Sequence, residues 1–268
     1  MAKDIIQYAQ KSIKDVDVMN LIIKELKELE TEKQIKVLLA VESGSRAWGI
    51  ESRDSDYDIR FVFVRKKKDY LTLDKKPEVI ETMKENRDYV GFDLFKFLQH
   101  IRASNPSAIE WVKSGIVYKN QLKNFRELNR EIDENFNPIA LFHHYKSLTK
   151  NNYLKYIKEG SDVRYKRYLY CLRGMLNAEF VLNIRKVPPI KFEDLLDSSL
   201  VMVPLHFMKK VKEIINIKKL GFEKDNVEKI QVLDKEIEIF LKSNEEPDAK
   251  KIHAVGFLNE VLKANLED

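Results

Sequence analysis

Residues 41–64 read VESGSRAWGIESRDSDYDIRFVFV, and the rest of the chain is best understood outward from them. A Gly-Ser turn (Gly44, Ser45) stands about ten residues ahead of an Asp-x-Asp pair, Asp56 and Asp58, which opens an apolar run. On a strand, side chains alternate between faces, so the two carboxylates share one face, opposite the buried face formed by Tyr57, Ile59, Phe61 and Phe63. Two neighbouring carboxylates repel unless a cation lies between them. Mg²⁺ suits such a pair, because it takes a few carboxylate oxygens together with substrate phosphate oxygens; Mn²⁺ is the natural substitute. If a helix starts near Ser45, its free N–H groups and the Ser hydroxyl can hold a phosphate. Metal-binding aspartates beside a phosphate-binding turn describe a nucleotidyl-transfer site.

The same residues carry a family likeness. Gly-Ser, a dozen residues, then Asp-x-Asp on a strand resembles the signature of the DNA polymerase β superfamily of nucleotidyltransferases. The fuller strings SGSRAWG, SRDSDYDIRFVFV and GFDLFKFLQHIRASNPSAIEWV resemble its RNA-repair-associated (RlaP-type) branch. The two motifs span roughly residues 41–115, with a looser likeness through Tyr170–Arg173 to Pro188-Pro189. Many relatives read Gly-Gly-Ser where this chain has Ser43, which is tolerable if that backbone keeps a negative φ. The resemblance implies an NTP substrate, two bound Mg²⁺ ions and a third carboxylate, to which it assigns Asp93. From position alone, Asp93 is equally readable as the N-cap of a helix beginning at Leu94. Gly91, on the same strand face, would leave room for substrate, and Asp88 is the fallback ligand.

Composition bounds the alternatives. The chain has 268 residues, 44% hydrophobic and 34% charged, enough for a sizeable core and too apolar for disorder. No apolar stretch reaches the length of a membrane span, and the N-terminus lacks a hydrophobic signal core. Cys171 is the sole cysteine, which excludes an internal disulfide and suits a reducing cytoplasm. The net charge of +5 is unevenly spread: residues 141–190 hold ten Lys or Arg against three acids, an excess of +7. Beside a phosphate-handling motif, that excess points to a polyphosphate or RNA partner.

Periodicity gives the layout expected of an α+β protein. Helical spacing covers Asp17–Glu30, strands are expected at Ile35–Val41, Tyr57–Val64, Glu78–Lys84 and Asp88–Asp93, and a helix at Leu94–Ala103. Beyond Asn105-Pro106 the pattern is helical, clearest in Ile139–Lys158, Asp162–Ile184, Pro204–Leu220, Val227–Leu241 and Ala249–Leu262. We therefore expect a small polymerase-β-like nucleotidyltransferase domain at 1–130, a mixed sheet with flanking helices. A C-terminal helical bundle at 131–268 would line the nucleotide and acceptor cleft.

Other residues have two readings each. Arg46 and Arg60 could contact substrate phosphate, and Arg60 could equally pair with Asp58 or Asp93. Lys166, Tyr170, Arg173 and Asn177 recur along one helix face beside the apolar row Leu169, Leu172, Leu176, Phe180. Lys166 and Arg173 are assigned to triphosphate or RNA phosphate and Tyr170 to stacking or hydrogen bonding; an ordinary amphipathic boundary is the plainer alternative. Trp48 could stack on a base or simply pack. Asp54 fits the entry turn and Glu42 a loop acid. His143 and His144 point apart and make no zinc site. The expected activity is transfer of a nucleoside monophosphate from an NTP to an acceptor hydroxyl, foremost an RNA (tRNA-like) 3′ end. A protein or small-molecule acceptor, or a catalytically silent nucleic-acid-binding module, are the competing readings.

Overall fold

The computed structural model describes residues 2–199, 203–248 and 255–266, with side chains from residue 16 onward. A long helix α1 (Ala2–Lys33) leads into β1 (Lys36–Ser43), the short helix α2 (Gly44–Ala47) and β2 (Tyr57–Val64). Then come β3 (Val79–Lys84), β4 (Arg87–Asp93), α3 (Leu94–Arg102), α4 (Pro106–Lys113) and β5 (Val117–Asn120). The five strands form one sheet in the order β3-β4-β2-β1-β5, with β2 and β4 parallel and the other neighbours antiparallel. It is the mixed sheet with flanking helices expected from the sequence.

Alternation along β2 sorts the two faces. Ile59, Phe61 and Phe63 pack with Val37, Ala40, Tyr89 and the α1 stripe Ile22, Leu26 and Leu29. Val62 and Val64 point the other way, into a larger cluster built with the C-terminal helices. α1 also anchors the start of β4. Its buried Glu25 accepts from Arg87 Nε at 2.9 Å and Nη2 at 3.2 Å, and from the Tyr89 hydroxyl. A two-pronged guanidinium–carboxylate contact of this kind fixes orientation as well as charge, and it holds the strand on which Asp88 sits.

The remaining helices are α5 (Phe125–Asn135), α6 (Pro138–Asn152), α7 (Tyr165–Ile184), α8 (Phe192–Ser198), α9 (Leu205–Leu220), α10 (Gln231–Lys242) and α11 (Val255–Asn265). α4 and α6 start alike: Asn105 and Asn137 accept from the first free N–H groups, and Pro follows at the first helical position. α6 ends in a π-helical turn, Tyr153–Lys158. The expected helix from residue 249 begins at Val255 within the described residues, and 249–254 lie outside them. α1 is longer than expected, whereas β5 and α8 were not anticipated individually. Residue 130, the expected boundary, falls inside α5, and the larger apolar cluster runs across it, from Leu38 in β1 to Val261 in α11.

Candidate active site

β1 extends to Ser43, two residues beyond the expected strand, and pairs Ser43 with Asp58. Ser43 has φ −127°, so serine is unstrained there. Gly44 follows at φ +60°, in the left-handed region, and a Cβ on it would lie 2.0 Å from Asp58 Oδ2. Only glycine lets the turn backbone approach that carboxylate so closely. In the parallel register Asp58 lies opposite Asp88. Arg60, two residues on and on the same face, joins them: its Nη2 is 2.8 Å from Asp58 Oδ1 and 2.9 Å from Asp88 Oδ2. Burial pushes the Asp58 carboxyl above its usual range, with Arg60 opposing the shift and Asp88 and Asp56 adding to it.

Asp56 is exposed, just ahead of β2 at the mouth of the site. The loop before it is clamped from two sides. Arg46 donates from Nε to the Asp56 carbonyl (3.1 Å) and from Nη2 to that of Ser55 (2.8 Å), and its guanidinium lies 3.8 Å from the Tyr57 ring centroid. From the helical side, Glu223 accepts from Ser52 Oγ (3.0 Å) and Ser55 Oγ (2.5 Å), while its N–H donates to Asp54 Oδ1 (2.8 Å). Lys166 (2.8 Å) and the buried Lys218 (3.2 Å) pair with the same carboxylate. Against burial, which raises it, these donors and charges hold Glu223 at about 2. Lys166 is therefore engaged with Glu223, close enough for its charge to act on Asp58.

Asp93 is not brought to this place. It lies opposite Phe63, five residues along β4 from Asp88, about 16 Å at strand spacing and on the other sheet face. Its Oδ1 caps α3 by accepting from Phe95 N (3.0 Å), and its Oδ2 accepts from the Tyr70 hydroxyl (2.7 Å). The space above Gly91 is filled by the Phe61 ring, which a Cβ would meet at 2.2 Å, so no substrate enters there. The residue that the fold sets beside Asp58 is Asp88, the fallback of the sequence reading.

A cleft of about 440 Å³ opens between this sheet face and helices α4, α6 and α7, lined by Gly44, Asp58, Arg60, Trp48, Tyr170 and Arg173 among others. The row Lys166, Tyr170, Arg173 and Asn177 does lie on one side of α7, but its members differ in their surroundings. Tyr170 meets Trp48 edge to face at 5.0 Å. Arg173 is buried in the wall, with Nη1 2.9 Å from Glu110 Oε1 and its guanidinium 4.0 Å from the Trp48 ring centroid. Trp48 in turn donates to Glu110 Oε2 (3.1 Å). Trp48 and Arg173 thus build the wall together. Asn177 is fully buried behind them, and Cys171 is core.

Glu42 is the residue that the sequence reading undervalued. It is buried in β1, not in a loop, and reaches around the strand to accept from Asp58 N–H (2.8 Å) and from the Tyr118 hydroxyl. The unbroken apolar run from Val37 to Val41, directly before it, was the available signal that the strand continues through it. Burial drives its carboxyl up to about 7 from an ordinary 4.5, only partly countered by the hydrogen bonds from Tyr118 and Asp58. Between those values the folded protein holds a proton that the unfolded chain has released. Its contribution to stability therefore falls as pH rises from about 4.5 to about 7 and is level above. We expect Glu42→Gln to remove this decline, worth at most about 3 kcal/mol between about pH 5 and pH 8. Urea unfolding of both proteins across that range measures it; parallel pH responses would contradict it.

Among the described residues no three His, Cys, Asp or Glu side chains converge as a preassembled metal centre. Asp56 and Asp58 nevertheless offer hard oxygen donors of the kind Mg²⁺ prefers, with Asp58 crowded by Asp88. No described helix is long and apolar enough to cross a membrane. Comparison with known proteins supplies the rest. The model of the RNA repair pathway DNA polymerase beta family, RlaP, matches residues 18–263. The uncharacterized protein YcgL of Bacillus subtilis (strain 168) is 34% identical over 252 residues, covering 92% of this chain and 96% of that protein. A nucleotidyltransferase-like protein from Exiguobacterium sibiricum 255-15, of solved structure, is 12% identical with a TM-score of 0.30, over 91% of this chain and 75% of that one.

Proposed function

Because the chain belongs to the RNA repair pathway DNA polymerase beta family, we propose that it transfers a nucleoside monophosphate from an NTP to the 3′ hydroxyl of an RNA, releasing pyrophosphate. The observation that carries this is the in-register pair Asp58 and Asp88, joined by Arg60 and touched by the Gly44 backbone at the mouth of the cleft. Asp56 and Asp58 would hold Mg²⁺, with Asp88 as the third carboxylate in place of Asp93. Bound there, the metal would lower the pKa of the acceptor hydroxyl and neutralise charge on the triphosphate.

The chain's own groups do the rest. Ser45 and the turn amides hold the β- and γ-phosphates, and Lys166 leaves Glu223 for the triphosphate when substrate enters. Arg60 keeps Asp58 and Asp88 side by side without mutual repulsion. Asp88 accepts the proton of the attacking hydroxyl. Tyr170 and Trp48 wall the nucleoside side, with Arg173 fixed behind Trp48. Residues 1–130 thereby supply the chemistry and 131–268 the far wall of the cleft. The lone buried cysteine suits a cytoplasmic enzyme.

Transfer of α-³²P label from each of the four NTPs, with Mg²⁺, to total small RNA tests this reading, with a protein-only reaction alongside. Label on RNA supports it and names the base; label on protein replaces RNA by a protein acceptor. The two candidate third carboxylates separate cleanly. Asp88→Asn should lower the transfer rate by about 10²-fold or more. Asp93→Ala should leave it within about threefold and cost about 1–2 kcal/mol of stability in urea, through the lost cap and the Tyr70 contact. The reverse ranking of rates would return Asp93 to the site.

A further inference from the structure

Next to Tyr170, which lines the cleft, the first turns of α7 and the π-helical turn that precedes it carry a ring and two cations that the chemistry above does not use. The guanidinium of Arg167 lies 3.8 Å from the centroid of the Tyr156 ring, and Lys155 Nζ lies 5.1 Å from the same centroid. Tyr156 stands in the π-helical turn Tyr153–Lys158, a rare insertion that recurs at functional sites. Neighbouring cations are neutralised: Arg164 by Asp162, Lys158 by Glu238, Lys166 by Glu223. Among the described residues, Arg167 and Lys155 have no carboxylate partner. The acids closest in sequence are the exposed Glu159 for Lys155 and, for Arg167, Asp162, which pairs with Arg164.

This group is continuous with the site. Arg167 precedes Tyr170 by one helical turn, and the Tyr170 phenol lies in the field of both Asp58 and Arg167. Outward from Tyr170, a cleft-lining residue, follow Arg167, the Tyr156 ring it covers and Lys155 on that ring, rings alternating with cations. Such alternation suits a flexible strand whose phosphates meet the cations while a base stacks on an aromatic or guanidinium plane. A duplex offers no free base face to it.

We propose that the acceptor is a single-stranded RNA 3′ segment that leaves the cleft across Tyr156, with its phosphates against Arg167 and Lys155. This rests on the reading of RNA as acceptor and adds where the strand runs. The test is a fluorescence-anisotropy titration of the full chain with a 5′-labelled single-stranded oligoribonucleotide of about 12 nucleotides bearing a free 3′ hydroxyl. The variants are Arg167→Glu, Tyr156→Ala and Lys155→Glu. We expect Kd to rise about tenfold or more in each of the first two, with a shallower salt dependence for Arg167→Glu and Lys155→Glu. Binding of Mg²⁺·NTP, read separately by equilibrium dialysis, should be unchanged. Lys155 is exposed, so its variant tests the surface even if Tyr156→Ala fails to fold. Variants that bind the oligonucleotide within twofold of the unaltered protein would overturn this surface and leave the RNA acceptor standing. Unaltered protein that binds no oligonucleotide, while transferring label to a protein, would overturn both.

Discussion

Asp58→Asn should reduce nucleotidyl transfer by roughly 10³-fold, about 4 kcal/mol of transition-state stabilisation, while the protein stays folded. The size follows from how many neighbours depend on that one carboxylate. Gly44 approaches it, Arg60 joins it to Asp88, and Asp56 stands at the mouth beside it. The substitution is close to isosteric and keeps an oxygen for Arg60, so the fold should survive. It removes the charge that would hold Mg²⁺ and leaves Asp88 alone with the guanidinium. Steady-state rates with far-ultraviolet circular dichroism on the same samples check both halves. A folded variant with more than a tenth of the original rate would show that Asp58 is not at the reacting centre.

Gly44→Ala should also have a large effect, comparable to that of Asp88→Asn but for a different reason. Alanine at φ +60° costs about 1–2 kcal/mol in backbone strain. Its methyl would also lie 2.0 Å from Asp58 Oδ2, a separation that cannot persist. Asp58, or the turn, must move by about 1 Å, and displacements of that size at a reacting centre cost on the order of 10²-fold in rate. Thermal unfolding and transfer rate should therefore fall together. Gly49→Ala is the control: Gly49 also has positive φ, yet a Cβ there meets nothing within 4 Å. It should lose stability with little loss of rate. Equal loss of rate in the two variants would mean that strain in the turn, not contact with Asp58, is what matters.

The parts of this site that were legible in the sequence are the local ones. Alternation along Tyr57–Val64 is a property of neighbouring residues, so the shared face of Asp58 and Arg60 and the buried face of Ile59, Phe61 and Phe63 could be read directly. The Gly-Ser turn was equally local. The third carboxylate was not, because it depends on which residue of β4 pairs with Asp58. Parallel pairing sets Asp88 there, and the odd separation of Asp88 and Asp93 puts the latter on the opposite face. Both cap and ligand are ordinary uses of Asp before a helix, and only the register tells them apart.

Long-range partners were out of reach for the same reason. Glu223 joins Ser52 and Ser55 across about 170 positions, and no periodicity encodes that contact. Arg173 looked like a phosphate ligand because a cation beside an apolar stripe commonly borders a cleft. Glu110, 63 positions away, takes its charge instead. The four-residue strand β5 is too short for alternation to announce itself, although its Tyr118 holds Glu42 in place. The helical half was recognisable as helical; its arrangement over the sheet was not.

The most direct measurement of the central claim pairs two labels in one reaction. The protein is incubated with Mg²⁺, small RNA and an NTP labelled at either the α- or the γ-phosphate, and Asp58→Asn is run in parallel. Nucleotidyl transfer requires α label to become bound to RNA and γ label to leave as pyrophosphate in equal amount, both lost in the variant. Release of γ label as orthophosphate with no α label transferred, or equal transfer by Asp58→Asn, would contradict the assignment of Asp58 and its neighbours to this reaction.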